Sequence, residues 1–130
     1  MKAQNAPRGV TRIMKFLMFI KHTGNPGPPP KALMDAMGKF VGESFAKGIL
    51  KDTGGLVAAK KSTHIQSKGG KVTVKDGPFT ESKEVVGGYA LVETKTREEA
   101  LALAREFMEL HRVHWPEFDC VSEVREVEEF

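Results

Sequence analysis

The most restrictive feature of the sequence is residues 13–21, where both alternating sets of side chains are apolar. The apolar members are Met14, Phe16, Met18 and Ile20 in one set and Ile13, Leu17 and Phe19 in the other. A strand with this pattern is covered on both faces, as a central strand of a sheet is. Its unbroken apolar run, "FLMFI", is far shorter than the roughly 20 residues that a membrane span needs. We therefore expect a protein that does not enter a membrane and that is cytoplasmic.

Two amphipathic helices separate the other strand-like runs. Residues 31 to about 47 predict a helix whose apolar stripe is Leu33, Met37, Phe40, Val41, Phe45 and Ile49, with Gly48 as its C-terminal cap. Thr96 and Glu99 form a capping box that opens the second helix, which ends at or before Pro116. Further strands are predicted at residues 54–63, 71–76, 87–95 and 120–128, which gives the order β-α-β-β-β-α-β.

This order predicts an α+β fold of the ferredoxin-like kind, a mainly antiparallel sheet with two helices on one face. The other face would expose apolar side chains to water, at roughly 25 cal/mol per Å². We therefore expect two copies to pair through that face as a dimeric α+β barrel with a cleft. The length of 130 residues suits one domain, residues 13–130, preceded by a flexible extension of residues 1–12.

Charge is divided unevenly along the chain. Residues 1–75 hold 14 basic and 3 acidic side chains, whereas residues 76–130 hold 6 and 14. We expect the two halves to interleave in space and to neutralise each other. Nucleic-acid binding by the lysine-rich segment 47–75 is a weaker alternative, because no basic motif with interleaved aromatic residues occurs. The single cysteine, Cys120, excludes an intrachain disulfide and is expected to be a buried, unreactive thiol.

A loop after residues 71–76 concentrates residues that could carry chemistry: Asp76, Phe79, Glu81, Lys83 and Glu84. In a structural interpretation, Asp76 accepts turn N–H groups and Phe79 plugs the core. In a functional interpretation, the loop lines a cleft, and its three carboxylates and one ammonium push the pKa values of the carboxylates apart. One carboxylate would then serve as an acid and another as a base. The same site could also bind a ligand without any reaction.

The histidines supply further candidates. His22 follows the first strand and could face a cleft formed by the "GNPGPPP" loop, so it is a candidate ligand-binding residue. His111 and His114 are spaced as metal ligands can be, but no third ligand is nearby, and we expect no metal site. Trp115 is expected to pack at the end of the second helix.

The stretch "DGPFTESKEVVGGYALVETKTREEAL" resembles the signature of the YCII-related proteins, in the branch named for its DGPF motif. The matching residues are Asp76, Gly77, Pro78, Phe79, Glu81, Lys83, Glu84, Gly88 and Tyr89. "MKFLMFIK", "LMDAMGKFVGE" and "VSEVREVEE" resemble the opening strand, the first helix and the last strand of the family. The resemblance covers about residues 14–128.

The resemblance implies a bacterial protein with a dimeric ferredoxin-like fold, and it implies no established activity for most members. Enzymes of the wider superfamily use a His-Asp pair for proton transfer, but the helix at residues 31–47 contains no histidine, so that pair does not carry over. Members of the DGPF branch are often encoded beside extracytoplasmic-function sigma factors. No cofactor is implied.

We therefore expect a small-molecule-binding or accessory homodimer, linked to sigma-factor-dependent transcription, with His22, Phe79, Lys83 and Tyr89 as ligand-binding residues. The alternative is a small acid–base enzyme, a lyase or an isomerase, in which Asp76, Glu81 and Glu84 carry protons. The two differ in what they require, since only the enzyme needs a carboxylate with a raised pKa in a closed pocket.

Overall fold

A computed structural model of the protein describes residues 12–24, 26–77 and 85–129. The strands and α-helices within these ranges are β1 (Met14–His22), α1 (Lys31–Ala46), β2 (Leu50–Gly55), β3 (Thr63–Lys68), β4 (Lys71–Asp76), β5 (Val85–Thr94), α2 (Arg97–His114) and β6 (Cys120–Glu126). A short 3₁₀ turn, Ala59–Lys61, precedes β3. Neither α-helix is long and apolar enough to cross a membrane, a statement that applies to the described ranges.

Four of the strands form one antiparallel sheet in the order β2-β5-β1-β6. This order and the two crossover helices make the fold a ferredoxin-like α+β sandwich, as predicted. Strands β3 and β4 form a separate two-stranded ribbon. The ribbon follows β2 and precedes β5 along the chain, whereas β2 and β5 are neighbours in the main sheet. The position of β1 between β5 and β6 confirms the central strand predicted from its two apolar faces.

The sheet order also interleaves the two halves of the chain, as expected from their charges. β2 and β1 come from the basic half and alternate with β5 and β6 from the acidic half. Ion pairs join the halves: the Lys21 Nζ atom lies 2.7 Å from Glu123 Oε1, and Arg12 Nη2 lies 3.1 Å from Glu126 Oε2. The hydrogen bond and the charge of Lys21 lower the pKa of Glu123.

The prediction of three strands between the helices is wrong, because the described residues there form four. The predicted strand at residues 54–63 instead spans the end of β2, the 3₁₀ turn and the first residue of β3. In the turn, the N–H groups of Lys61 and Ser62 donate to the carbonyls of Ala58 and Ala59, so they do not join a ladder. Most of β3 lies between the predicted strands at residues 54–63 and 71–76, where no strand was predicted.

The two helices cover one face of the sheet. Its core contains Phe16 and Met18 of β1, Leu50 of β2, Val92 of β5, and Ala100 and Ala104 of α2. The two alanines allow α2 to approach the sheet closely, and Leu33 of α1 is completely buried. On the opposite face, the side chains of Leu17, Phe19 and Leu91 are half-buried. We call this surface, on which no described helix lies, the bare face.

Local signals placed the helix ends correctly. The Thr96 hydroxyl accepts a hydrogen bond from the Glu99 N–H at 3.1 Å, which is the predicted N-terminal cap. The Glu99 carboxylate accepts from Lys95 N at 3.3 Å and not from Thr96 N, so the reciprocal half of the box is displaced by one residue. At the end of α1, Gly48 has φ of 74°, the left-handed conformation that a glycine adopts without strain.

Removing the Thr96 hydroxyl should destabilise the protein. We expect Thr96→Ala to lower the free energy of unfolding by about 1 kcal/mol, because the Glu99 N–H loses its acceptor. Urea denaturation measures this change. Thr73→Ala, at an exposed position of β4, is the control and should stay within about 0.5 kcal/mol of wild type. Equal effects of the two substitutions would refute the assigned cap.

Candidate ligand-binding site

A cavity of about 700 Å³ lies between the two helices and the covered face of the sheet. Its apolar walls include Met18, Leu33, Met37, Phe40, Val92 and Phe107. None of the described residues that line it is Asp, Glu, Lys or Arg. A cavity of this volume, with mainly apolar walls and a few polar groups, has the character of a small-molecule site.

Two hydroxyl groups that border the cavity are already engaged by the backbone. The Ser44 hydroxyl donates to the carbonyl of Phe40 at 2.8 Å, and the Thr53 hydroxyl donates to the carbonyl of Tyr89 at 2.8 Å. Their hydrogens are therefore used within the protein, and each oxygen keeps only acceptor capacity. Neither group is positioned as the main polar anchor of a ligand.

His111 is buried at the end of the cavity near the C-terminus of α2. Its Nδ1 atom lies 2.9 Å from the carbonyl oxygen of Phe107. Because a carbonyl only accepts hydrogen bonds, Nδ1 carries the hydrogen, and Nε2 is the nitrogen that can accept one. The ring also contacts Phe107 edge-on, with centroids 4.8 Å apart. Phe118 lies next to it, at 6.3 Å, and stacks on Trp115 at 4.2 Å, which confirms the packing expected of Trp115.

Sequence reasoning did not identify His111 as a cavity residue. It grouped His111 with His114 as a possible metal pair, whereas His111 is buried and only 6% exposed. Its spacing of four residues from Phe107 and seven from Ala104 places it on the apolar stripe of α2, and this was the available signal. No cluster of three potential metal ligands occurs in the part of the chain that the structure describes.

His22, a predicted ligand-binding residue, does border the cavity. It ends β1, its ring centroid lies 5.4 Å from that of Phe118, and its Nδ1 atom is 3.5 Å from the carbonyl oxygen of Thr23. A hydrogen bond of that length is weak, so the imidazole keeps polar capacity for a ligand.

A β-bulge makes room for the His22 ring. Ile20 pairs with Gly88 and Lys21 with Val86, so Gly87 is the extra residue of β5. A Cβ atom at Gly87 would lie 3.0 Å from His22 Nε2, a distance that requires the ring to move. Bulges occur beside functional sites because they redirect the local backbone, and here the glycine also leaves the space that His22 occupies.

Tyr89 is among the residues that border the cavity, but it pairs with Phe19, so its side chain lies on the bare face of the sheet. The Tyr89 hydroxyl donates to Asp52 Oδ2 at 3.0 Å. This hydrogen bond, together with the charge of Asp52, raises the pKa of Tyr89. Its ring lies over Gly54 of the neighbouring strand, 3.0 Å from the position of a Cβ there. The ligand-binding role of Tyr89 stays a prediction.

The predicted acid–base residues are not brought together in the described structure. Asp76 ends β4 on the surface, where it accepts a hydrogen bond from the Thr63 hydroxyl at 2.8 Å, and it does not line the cavity. The N–H of the next residue, Gly77, donates to Ser62 at the base of the ribbon. The remaining candidates, Phe79, Glu81, Lys83 and Glu84, lie outside the described residues. The roles of Asp76, Glu81 and Glu84 therefore stay predictions.

Cys120 is half-buried at the start of β6. Burial, with a smaller contribution from the charge of Asp119, raises the pKa of its thiol. Because the thiolate is the reactive form, this environment agrees with an unreactive cysteine.

The fold and the cavity define a small ferredoxin-like protein with an apolar site between its helices and its sheet. Residues 14–109 match the YCII-related domain, so the chain belongs to the YCII-related family. No curated protein matches the chain.

Tyr89 gives a direct test of its contact with Asp52, because it is the only tyrosine. In Asp52→Asn the pKa of Tyr89 should fall towards its ordinary value, which an ultraviolet titration of the phenolate measures. The raised pKa means that the folded chain holds this proton more tightly than the unfolded chain does. The resulting stabilisation is present below the ordinary phenol pKa and is lost as the pH rises through the raised value. Asp35→Asn is the control, and an equal shift in both variants would refute the contact.

A methyl group at position 87 should displace the His22 ring. We expect Gly87→Ala to shift the imidazole proton resonances of His22, because the new Cβ would lie too close to Nε2 and Cδ2. Gly55→Ala is the matched control, since the nearest atom to its Cβ is a backbone oxygen at 4.0 Å. Unchanged His22 resonances in Gly87→Ala would contradict the placement of the ring.

Proposed function

We propose that this protein binds a small, mainly apolar molecule in the cavity between its helices and its sheet. The observation that carries the proposal is the cavity of about 700 Å³ whose described lining contains no Asp, Glu, Lys or Arg. Such walls offer no ion pair to a charged ligand and few hydrogen bonds to a sugar-like ligand. An apolar ligand, in contrast, gains free energy by leaving water. In this proposal the protein is a binding or accessory protein.

The side chains around the cavity favour an aromatic or otherwise flat ligand. Aromatic rings come from both helices and from the segment after α2, and the methionines Met18, Met34 and Met37 line the walls. Methionine adapts to irregular shapes and makes favourable contacts between sulfur and aromatic rings. His22 at the rim would hold the single polar group of such a ligand.

The alternative proposal is a lyase or isomerase that uses Asp76, Glu81 and Glu84. Its support is the sequence motif itself. The described geometry favours it less, because Asp76 is on the surface and is not part of the cavity lining. Loss of turnover in Glu81→Gln, with ligand binding retained, would favour this alternative over binding alone.

Five further proposals follow from the sequence motif and the surface. The residues Asp-Gly-Pro-Phe at 76–79 support membership of the DGPF-motif branch. The half-buried apolar side chains of the bare face support a homodimer. We also propose that the protein is bacterial and cytoplasmic and that it acts beside a sigma factor, for which the resemblance to that branch is the support.

A weaker proposal is binding to nucleic acid. His64, Lys68, Lys71 and Lys75 share one exposed face of the ribbon, which we call the basic face. The major groove of DNA admits a two-stranded ribbon. Binding to a DNA duplex that weakens linearly with the logarithm of the salt concentration would support it.

Filling the cavity should abolish binding of its ligand. Gly38 and Gly42 both lie on α1 with nothing within 4 Å of an added Cβ, but only Gly38 borders the cavity. We expect Gly38→Phe to block a ligand found by a thermal-shift screen of aromatic metabolites, and Gly42→Phe to leave binding intact. Trp115, the only tryptophan, borders the cavity, so its fluorescence reports occupancy directly.

A ligand at a hundred times its dissociation constant should stabilise the wild type by about 2.7 kcal/mol. Equal stabilisation of Gly38→Phe and Gly42→Phe would place the ligand elsewhere and refute the cavity site. His22→Gln tests the polar anchor, with the exposed His64→Gln as its control. Weaker binding in His22→Gln alone would support the role of His22.

A further inference from the structure

The ribbon of β3 and β4 stands apart from the rest of the fold. All its strand residues are exposed, and no other described helix or strand makes more than isolated contact with it. The hairpin turns at Gly69 and Gly70, whose φ values of 59° and 77° fit a two-residue loop. A two-stranded hairpin is marginally stable by itself in water, so contact with another surface would stabilise it.

The two faces of the ribbon differ in character. Ile65, Val72 and Val74 share one face and are 70%, 71% and 63% exposed; we call this the apolar face. The only charged residue on that side is Asp76, which is hydrogen-bonded to Thr63. The basic face lies on the opposite side.

Charge repulsion within the basic face also favours an acidic partner. Lys68 pairs directly across the strands with Lys71, and Lys75 lies on the same face. Like charges directly opposite each other on a sheet are destabilising. Residues 60–76 together hold five lysines and one aspartate. A surface with carboxylates would relieve this repulsion.

The complementary surface occurs on the same chain but away from the ribbon. Residues 117–129, which we call the acidic segment, hold six carboxylates and one arginine. The segment contains β6, which is an edge strand of the main sheet with one side open to a further strand. It also exposes apolar side chains, since Val121 is 55% and Val127 is 37% exposed.

We propose that the ribbon of one copy of this chain docks on the acidic segment of a second copy. If the ribbon docks edge to edge with β6, its lysines lie beside carboxylates on one side of the extended sheet, and its apolar face lies beside apolar neighbours such as Val121 on the other. A second copy is favoured over a nucleic acid because a polyanion would satisfy only the basic face. A two-fold axis repeats the contact, so both ribbons contribute to one dimer. Val121 lies at the edge of the bare face, so the docked ribbon borders any pairing through that face.

A charge-swap experiment tests the proposal on the full-length chain. The ribbon variant carries Lys68→Glu, Lys71→Glu and Lys75→Glu. The segment variant carries Glu117→Lys, Asp119→Lys and Glu128→Lys, which leaves the ion pairs of Glu123 and Glu126 intact. The control variant carries Lys39→Glu, Lys51→Glu and Lys95→Glu, three exposed lysines outside the ribbon. Sedimentation equilibrium measures the self-association of each variant and of the two swapped variants mixed together.

We expect each swapped variant alone to self-associate at least roughly tenfold more weakly than wild type, and the control variant to match it. The mixture should regain association, because each ribbon then meets a segment of opposite charge. Regained association also shows that both variants are folded. Wild-type association should weaken as salt rises from about 50 mM to 500 mM.

Three results would overturn the proposal: a monomeric wild type, unchanged association of the ribbon variant, or no recovery in the mixture. If the wild type is monomeric and only the ribbon variant loses binding to a DNA duplex, the ribbon's partner is nucleic acid.

The apolar face is tested without any change in charge. Val72→Thr with Val74→Thr keeps β-branched residues that favour strands but makes the face polar. We expect weaker association in this variant and no change in Val113→Thr, an exposed valine of α2. Unchanged association of the Val72→Thr, Val74→Thr variant would show that the apolar face remains in water, which contradicts the docking.

Discussion

Hydrogen bonding along both edges of β1 is the interaction on which the rest of the structure depends. The strand pairs with β5 over its whole length and with β6 from Phe16 to His22. Because its neighbours come from the acidic half of the chain, the same ladders place opposite charges next to each other. The strand also supplies Phe16 and Met18 to the core and ends at His22, so the sheet positions the polar group of the proposed site.

The core and the candidate site share the same residues. Met18, Leu50, Val92 and Ala104 belong to the packed core and also border the cavity. Atoms that face unfilled space lose dispersion contacts, and a ligand of suitable shape would restore them. Binding of the proposed ligand would therefore also raise stability, since a molecule that binds only the folded chain stabilises it.

The sequence predicted those elements whose pattern is set by burial. β1, α1 and α2 each bury one or two faces, so their apolar residues recur at the period of the element. β3 was missed because no apolar period marks its six residues, whereas β4, which is equally exposed, was predicted from the alternation of Val72 and Val74. The candidate site, too, was predicted only in part. His22 was recognised from its place after a strand, whereas His111 was considered only with His114 as a metal ligand, although it lies on the apolar stripe of α2.

By itself, the sequence determined the features that depend on neighbours along the chain: the cap at Thr96, the glycine end of α1, and the turn at Gly69 and Gly70. These depend on backbone conformation and on hydrogen bonds across a few residues. Only the tertiary structure decided the cavity, the contact between His22 and Gly87, and the separation of the basic ribbon from the acidic segment. Each of these joins residues that are distant in sequence, and their relative positions are fixed by strand order and helix packing.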